Sequence, residues 1–127
     1  MSKLLHYELS CKVLEAAFAA HKKLGPCLLE AVYEGGFCME LGRRGIGYER
    51  QKVFPVEYYG EYIGAYFADV VVGDAIIVEL KSVKCLTEIM AAQVINYLRL
   101  SGLDVGYIIN FHGIRLEWKR YINPGSG

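Results

Sequence analysis

Two wholly apolar tripeptides, Val70-Val71-Val72 and Ile76-Ile77-Val78, stand on either side of a Gly73-Asp74 turn signal. A strand with one wetted face alternates apolar and polar residues, so runs that are apolar at every position must be covered on both faces. This hairpin therefore has to sit at the centre of a sheet with helices packed against it. The rest of the chain supplies the cover. Leu9, Val13, Ala16, Ala17, Ala20 and Leu24 recur at helical spacing and predict a helix from about Glu8 to Leu24, ended by Gly25-Pro26. Leu29, Val32, Tyr33 and Phe37 predict a second, from about Leu28 to Arg43. Gly35-Gly36 inside it either weakens that helix by about 1 kcal/mol per Gly or marks a close packing point.

Strand patterns cover Lys52–Tyr59, Tyr62–Val72 and Ala75–Lys81, with Gly60 and Gly73-Asp74 at the turns. Thr87 is the expected N-cap of a third helix that reaches Ser101 and stops at Gly102. Val105–Phe111 reads as a buried strand and Leu116–Ile122 as an edge strand. The predicted order is α-α-β-β-β-α-β-β, an α/β (α+β) class with a mixed sheet flanked by helices. One domain spans 1–127, with a core of about 8–122 and a flexible tail at 123–127.

Charges inside these apolar strands are the second constraint. Removing a charge from water costs several kcal/mol unless it is paired, hydrogen-bonded or bound to a cation. Asp69, Glu79 and Lys81 all flank the apolar runs. Glu79 and Lys81 are two residues apart and so share a face. A three-residue loop (73–75) sets Asp69 opposite Glu79, whereas a two-residue loop sets it opposite Val78 and on the wrong side. Two carboxylates and a lysine on one face suit Mg²⁺, which prefers oxygen ligands and typically takes one or two protein carboxylates. A buried Glu79–Lys81 ion pair with Asp69 fixing the hairpin fits the spacing equally well.

Composition narrows the function classes. Formal net charge is zero, with 14 basic and 14 acidic residues. A protein that coats nucleic acid non-specifically is usually strongly basic, so neutrality argues against one but leaves room for an enzyme touching a few phosphates. Arg43, Arg44, Arg50 and Lys52 form one basic group, and Arg115, Lys119 and Arg120 another. His21 and His112 read as packing or surface residues. Cys11, Cys27, Cys38 and Cys85 make no short-spaced metal cluster. No segment is apolar enough to cross a bilayer, and the start, Met1 to Glu8, lacks a signal-sequence core. The expected location is cytoplasmic, away from membranes. Ten Tyr in 127 residues exceed what one small core hides, which predicts self-association as a homodimer.

Asp69 followed ten residues later by Glu79-Leu80-Lys81 resembles the motif of the PD-(D/E)XK nuclease superfamily. More closely, the chain is similar to the small prokaryotic GxxExxY proteins of that superfamily. The matching stretches include His21-Lys22-Lys23-Leu24-Gly25-Pro26, Leu28-Leu29-Glu30-Ala31-Val32-Tyr33, Ala68-Asp69-Val70 and Val78-Glu79-Leu80-Lys81. Ala92-Gln93-Val94-Ile95-Asn96-Tyr97 and Gly106-Tyr107-Ile108-Ile109-Asn110-Phe111 complete the set. Together they cover roughly residues 8 to 122. The chain departs from the pattern at Cys27, where relatives carry the first Gly, and at Met90-Ala91, where many carry His-Glu.

The resemblance implies a restriction-endonuclease-like αβββαβ core and Mg²⁺-dependent hydrolysis of phosphodiesters, with Mn²⁺ as a substitute. The expected substrate is DNA, with RNA less favoured. It assigns Asp69, Glu79 and the main-chain carbonyl of Leu80 to the metal, with Glu30 as an additional acidic ligand, Lys81 as the catalytic lysine and Gln93 as the helical glutamine beside them. A nuclease fold without turnover, acting as a nucleic-acid- or protein-binding module, is the competing reading, and a purely structural subunit is a third.

Overall fold

The computed structural model describes residues 6–125. Three helices, α1 (Tyr7–Leu24), α2 (Glu30–Arg43) and α3 (Glu88–Ser101), accompany five strands. These are β1 (Tyr48–Tyr58), β2 (Glu61–Val72), β3 (Ile76–Lys81), β4 (Val105–Asn110) and β5 (Glu117–Ile122). The strands lie in sequence order in one sheet. Every neighbouring pair is antiparallel except β3 and β4, which run parallel because α3 crosses over between them. This is the expected mixed sheet with helices on both faces.

The two apolar runs behave as their composition requires. Val70, Val72, Ile76 and Val78 pack on one side against Val13, Ala16 and Ala17 of α1 and Phe37 and Leu41 of α2. Val71 and Ile77 pack on the other against Val94 and Leu98 of α3. All six strand residues are essentially fully buried. The α1–α2 contact is close: a Cβ at Gly36 would lie 2.8 Å from the Leu24 side chain, while one at Gly35 would meet nothing. Of the two glycines, Gly36 is therefore the packing point.

Local signals place the helix ends. Thr87 caps α3, its Oγ1 accepting from the Met90 N–H, and Gly102 ends the helix in the left-handed region. The expected first strand begins four residues too late: Tyr48, Glu49 and Arg50 already pair with Val72, Val71 and Val70. The expected tail also needs correction at its first residue. Asn123 is buried, and its Nδ2 donates to the carbonyls of Leu98 (2.8 Å) and Leu103 (2.9 Å), so it ties the chain end to the end of α3. Residues 126 and 127 lie outside the described residues.

The segment between α1 and α2 is stitched to the loops that follow β3 and β4. Tyr33 is buried, donates to the Gly25 carbonyl (2.6 Å) and accepts from the Leu28 N–H (3.1 Å). Its ring stacks on Phe111 at 4.7 Å. Ser82 donates to the Leu28 carbonyl, and the Cys27 N–H donates to the His112 carbonyl (3.0 Å). These bonds carry the start of α2 towards the end of β3. Cys27 itself has φ 66, a region that costs an L-residue roughly 1–2 kcal/mol. That strain favours Gly at this position. Glycine gives back about 0.5–1 kcal/mol through the unfolded chain. Cys27→Gly is therefore expected to stabilise the fold by about 0.5–1 kcal/mol in urea unfolding, and a loss of stability would contradict this account of the turn.

Candidate functional site

The β2–β3 hairpin decides where Asp69 points. Val70, Val71 and Val72 pair with Val78, Ile77 and Ile76, so the loop holds three residues and Asp69 stands opposite Glu79. Backbone pairing between the strands ends at Val70–Val78, and beyond it the two carboxylates replace the ladder. The Asp69 N–H donates to Glu79 Oε2 (3.0 Å), and the Leu80 N–H donates to Asp69 Oδ2 (2.9 Å). Each carboxylate spends one oxygen on the opposite strand's backbone and keeps the other for a further partner. In an extended strand a residue's C=O points to the same side as its N–H, so the Leu80 carbonyl faces the same gap. Ala68 and Val71, three residues apart, both pack on the α3 side. The side-chain alternation of β2 therefore slips once between Ala68 and Val71.

The electrostatics are unbalanced. Glu79 is 4% exposed. Burial first, and the neighbouring Asp69 charge second, push its carboxyl up to about 8, against the lowering effects of the Asp69 N–H and the Lys81 ammonium. Glu30 adds a further rise. Among the described residues no ion pair joins Glu79 to Lys81 or to any other cation, which removes the structural ion pair that the spacing allowed. Lys81 ends β3, partly buried, opposite Asn110 of β4.

Glu30 opens α2 and is exposed. Among the described residues no group of three or more His, Cys, Asp or Glu side chains is placed to hold an ion. The expected third acidic ligand therefore does not form a ready-made cage with Asp69 and Glu79, although its charge is felt at Glu79. Gln93 is exposed on α3, one turn before Tyr97. Tyr97 stacks on Tyr66 at 4.1 Å, and burial followed by the charges of Glu79 and Asp69 raises its phenol. His21 is buried, and its Nε2 lies 2.8 Å from the Gly113 carbonyl, so it serves packing.

Three residues at this site carried no special signal in the sequence. Glu34, one turn beyond Glu30, accepts from Arg50 Nε (3.0 Å) and from Gln51 Nε2 (3.0 Å). Gln51 Nε2 also lies 3.4 Å from Asp69 Oδ1. Asn110 is buried, accepts from the Val83 N–H (3.1 Å) and donates to the Val83 carbonyl (2.8 Å) and to Glu117 (3.1 Å). It thereby pins the chain two residues after Lys81. Of these three, only Glu34 had a usable hint, its i+4 spacing from Glu30 on one helix face.

The family model described as the PD-(D/E)XK nuclease superfamily matches residues 7–121. The chain belongs to this superfamily. PD-(D/E)XK nucleases are in general dependent on divalent metal. Among solved structures the chain is similar to one described as "Crystal structure of SSO0001", with 19% sequence identity and a TM-score of 0.56. The match covers 93% of this chain and 61% of that one, so this chain spans less than two-thirds of its neighbour. The likeness shows a shared fold. No curated protein matches the chain.

Proposed function

We propose that this PD-(D/E)XK domain is a Mg²⁺-dependent nuclease that hydrolyses phosphodiester bonds in DNA, with Mn²⁺ as a working substitute and RNA as a poorer substrate. The observation that carries the reading is the interlocked Asp69–Glu79 pair. A nearly fully buried carboxylate beside a second one, with no ion-paired cation among the described residues, is a negative site that a hard cation would compensate. Mg²⁺ takes oxygen ligands, keeps several waters and asks for only one or two protein carboxylates. The donor set fits it.

In this reading Asp69, Glu79 and the Leu80 carbonyl hold the ion, and Glu30 contributes negative charge from the mouth of α2. The bound cation would polarise a phosphate and make a water nucleophilic near neutral pH. Lys81 supplies a compact positive charge for the developing phosphorane-like oxygens, and its backbone is held by pairing with β4. Gln93 contributes an amide from the flank of α3. Arg44, Arg50 and Lys52 are largely committed to Glu40, Glu34, Glu49 and Asp74, so phosphate contact falls mainly to other cations, Arg115 and Lys119 among them.

We also place the chain among the GxxExxY proteins, as one prokaryotic cytoplasmic domain. Exposed Tyr58, Tyr59 and Tyr62 on the β1–β2 hairpin are the surface for a homodimer. Among the described residues no helix is long and apolar enough to cross a membrane.

The experiment is incubation of the purified chain with plasmid, linear and single-stranded DNA and Mg²⁺ or Mn²⁺. Cleavage that EDTA abolishes is expected, and absence of cleavage by the native sequence would refute the proposal. The zero net charge and the internally paired arginines favour one alternative, a binding module that keeps the fold without turnover. That module would bind metal by calorimetry yet leave every substrate intact.

A further inference from the structure

Besides the register shift at Val56/Glu57, β1 contains a second backbone irregularity, and this one lies against Asp69. Gln51 has φ 49. The other non-Gly residues with positive φ, His6, Cys27, Tyr59 and Asp74, sit at a cap or in turns and loops, whereas Gln51 is inside a strand. Arg50 pairs with Val70 and Lys52 with Ala68, but the pairing skips Gln51 and Asp69. A left-handed residue in mid-strand is strained, and such strain persists only where its surroundings enforce it.

The distortion delivers an amide to two acids. Gln51 Nε2 donates to Glu34 Oε1 at 3.0 Å and faces Asp69 Oδ1 at 3.4 Å. Both neighbours are acceptors, so only the NH₂ end of the amide fits between them. Glu34 is held in turn by Arg50 Nε on its other oxygen. The result is a chain from Arg50 through Glu34 and Gln51 to Asp69, joining α2, β1 and β2. A neutral donor orients a carboxylate without cancelling its charge. An Arg or Lys in its place would compete with a bound cation, and here the Arg50 charge is spent on Glu34.

We propose that Gln51 is a positioning residue that aims Asp69 Oδ1 at the metal site, its left-handed backbone being retained for that purpose. The proposal rests on the nuclease reading and deepens it. Two variants separate positioning from folding. Gln51→Gly accepts the left-handed backbone without strain and lacks the amide. Gln51→Asn tolerates that backbone but is one methylene too short to span both acids.

Mn²⁺ titration calorimetry and thermal unfolding in EDTA, both on the full chain, provide the readouts. Both variants are expected to keep or raise the midpoint temperature in EDTA while Mn²⁺ affinity falls about 10-fold or more, as losses of partners that orient ligands do. Native-like affinity in either folded variant overturns the role given to Gln51 and leaves the nuclease reading standing. A fall in midpoint in both variants makes Gln51 structural and also overturns it. Absence of Mn²⁺ binding by the native chain overturns both readings together.

Discussion

Glu79→Gln is expected to make the metal-free protein more stable at pH 8 and nearly unchanged at pH 4, while removing most of its affinity for divalent cations. Gln is nearly isosteric, and its amide oxygen can still accept the Asp69 N–H that now bonds Glu79 Oε2. What it removes is the charge. The Glu79 carboxyl is pushed from its ordinary 4.5 up to about 8 in the folded chain, first by burial and then by Asp69. The folded state therefore holds this proton more tightly than the unfolded one. That contribution to stability is complete below about pH 4.5 and is lost progressively as pH rises through about 8. Relieving it gives Gln an advantage on the order of 2–4 kcal/mol at pH 8. Urea unfolding in EDTA at pH 4 and pH 8 measures this directly. Equal midpoints for the two proteins at pH 8, or a less stable Gln variant there, would show that Glu79 is compensated in a way the hydrogen bonds do not reveal.

Lys81→Ala is expected to separate chemistry from metal binding. Lys81 is the last residue of β3, and Asn110, opposite it, fixes the following chain through Val83. No carboxylate is ion-paired to it among the described residues, so its ammonium is available to a phosphate. Removing one preorganised charge from a transition state typically costs about 10²–10³-fold in rate. Loss of that size in DNA cleavage is predicted, with Mn²⁺ affinity retained within a few-fold. Lys81 is not a ligand, and its removal only deepens the unfavourable charge at Glu79. Lys81→Arg keeps the charge and should recover part of the rate. Cleavage equal to the native rate in the Ala variant would remove Lys81 from the chemistry.

The sequence signals that proved most informative were those with local causes. Val70-Val71-Val72 and Ile76-Ile77-Val78 demanded cover on both faces and received it. Thr87 and Gly102 bound α3 because a cap and a left-handed stop act within one turn. The position of Asp69 depended on a single integer, the loop length, and the three-residue loop sets it opposite Glu79. Gln51 was not legible, since its meaning arises from contacts 17 and 18 residues away in sequence and from a left-handed backbone that no propensity marks, while Glu34 offered only its i+4 spacing from Glu30. Glu30 was legible as an acid on the right helix, but not its exposure. Asn123 looked like the start of a tail because nothing in a Pro-Gly-Ser-Gly context announces that its amide caps the end of α3.

The central claim is that Asp69 and Glu79 together bind a hard divalent cation, and anomalous diffraction from crystals grown with Mn²⁺ tests it most directly. A single strong peak about 2.1 Å from one oxygen of Asp69 and one of Glu79 is predicted. A peak ligated elsewhere, or none at that pair in crystals saturated with Mn²⁺, would contradict it.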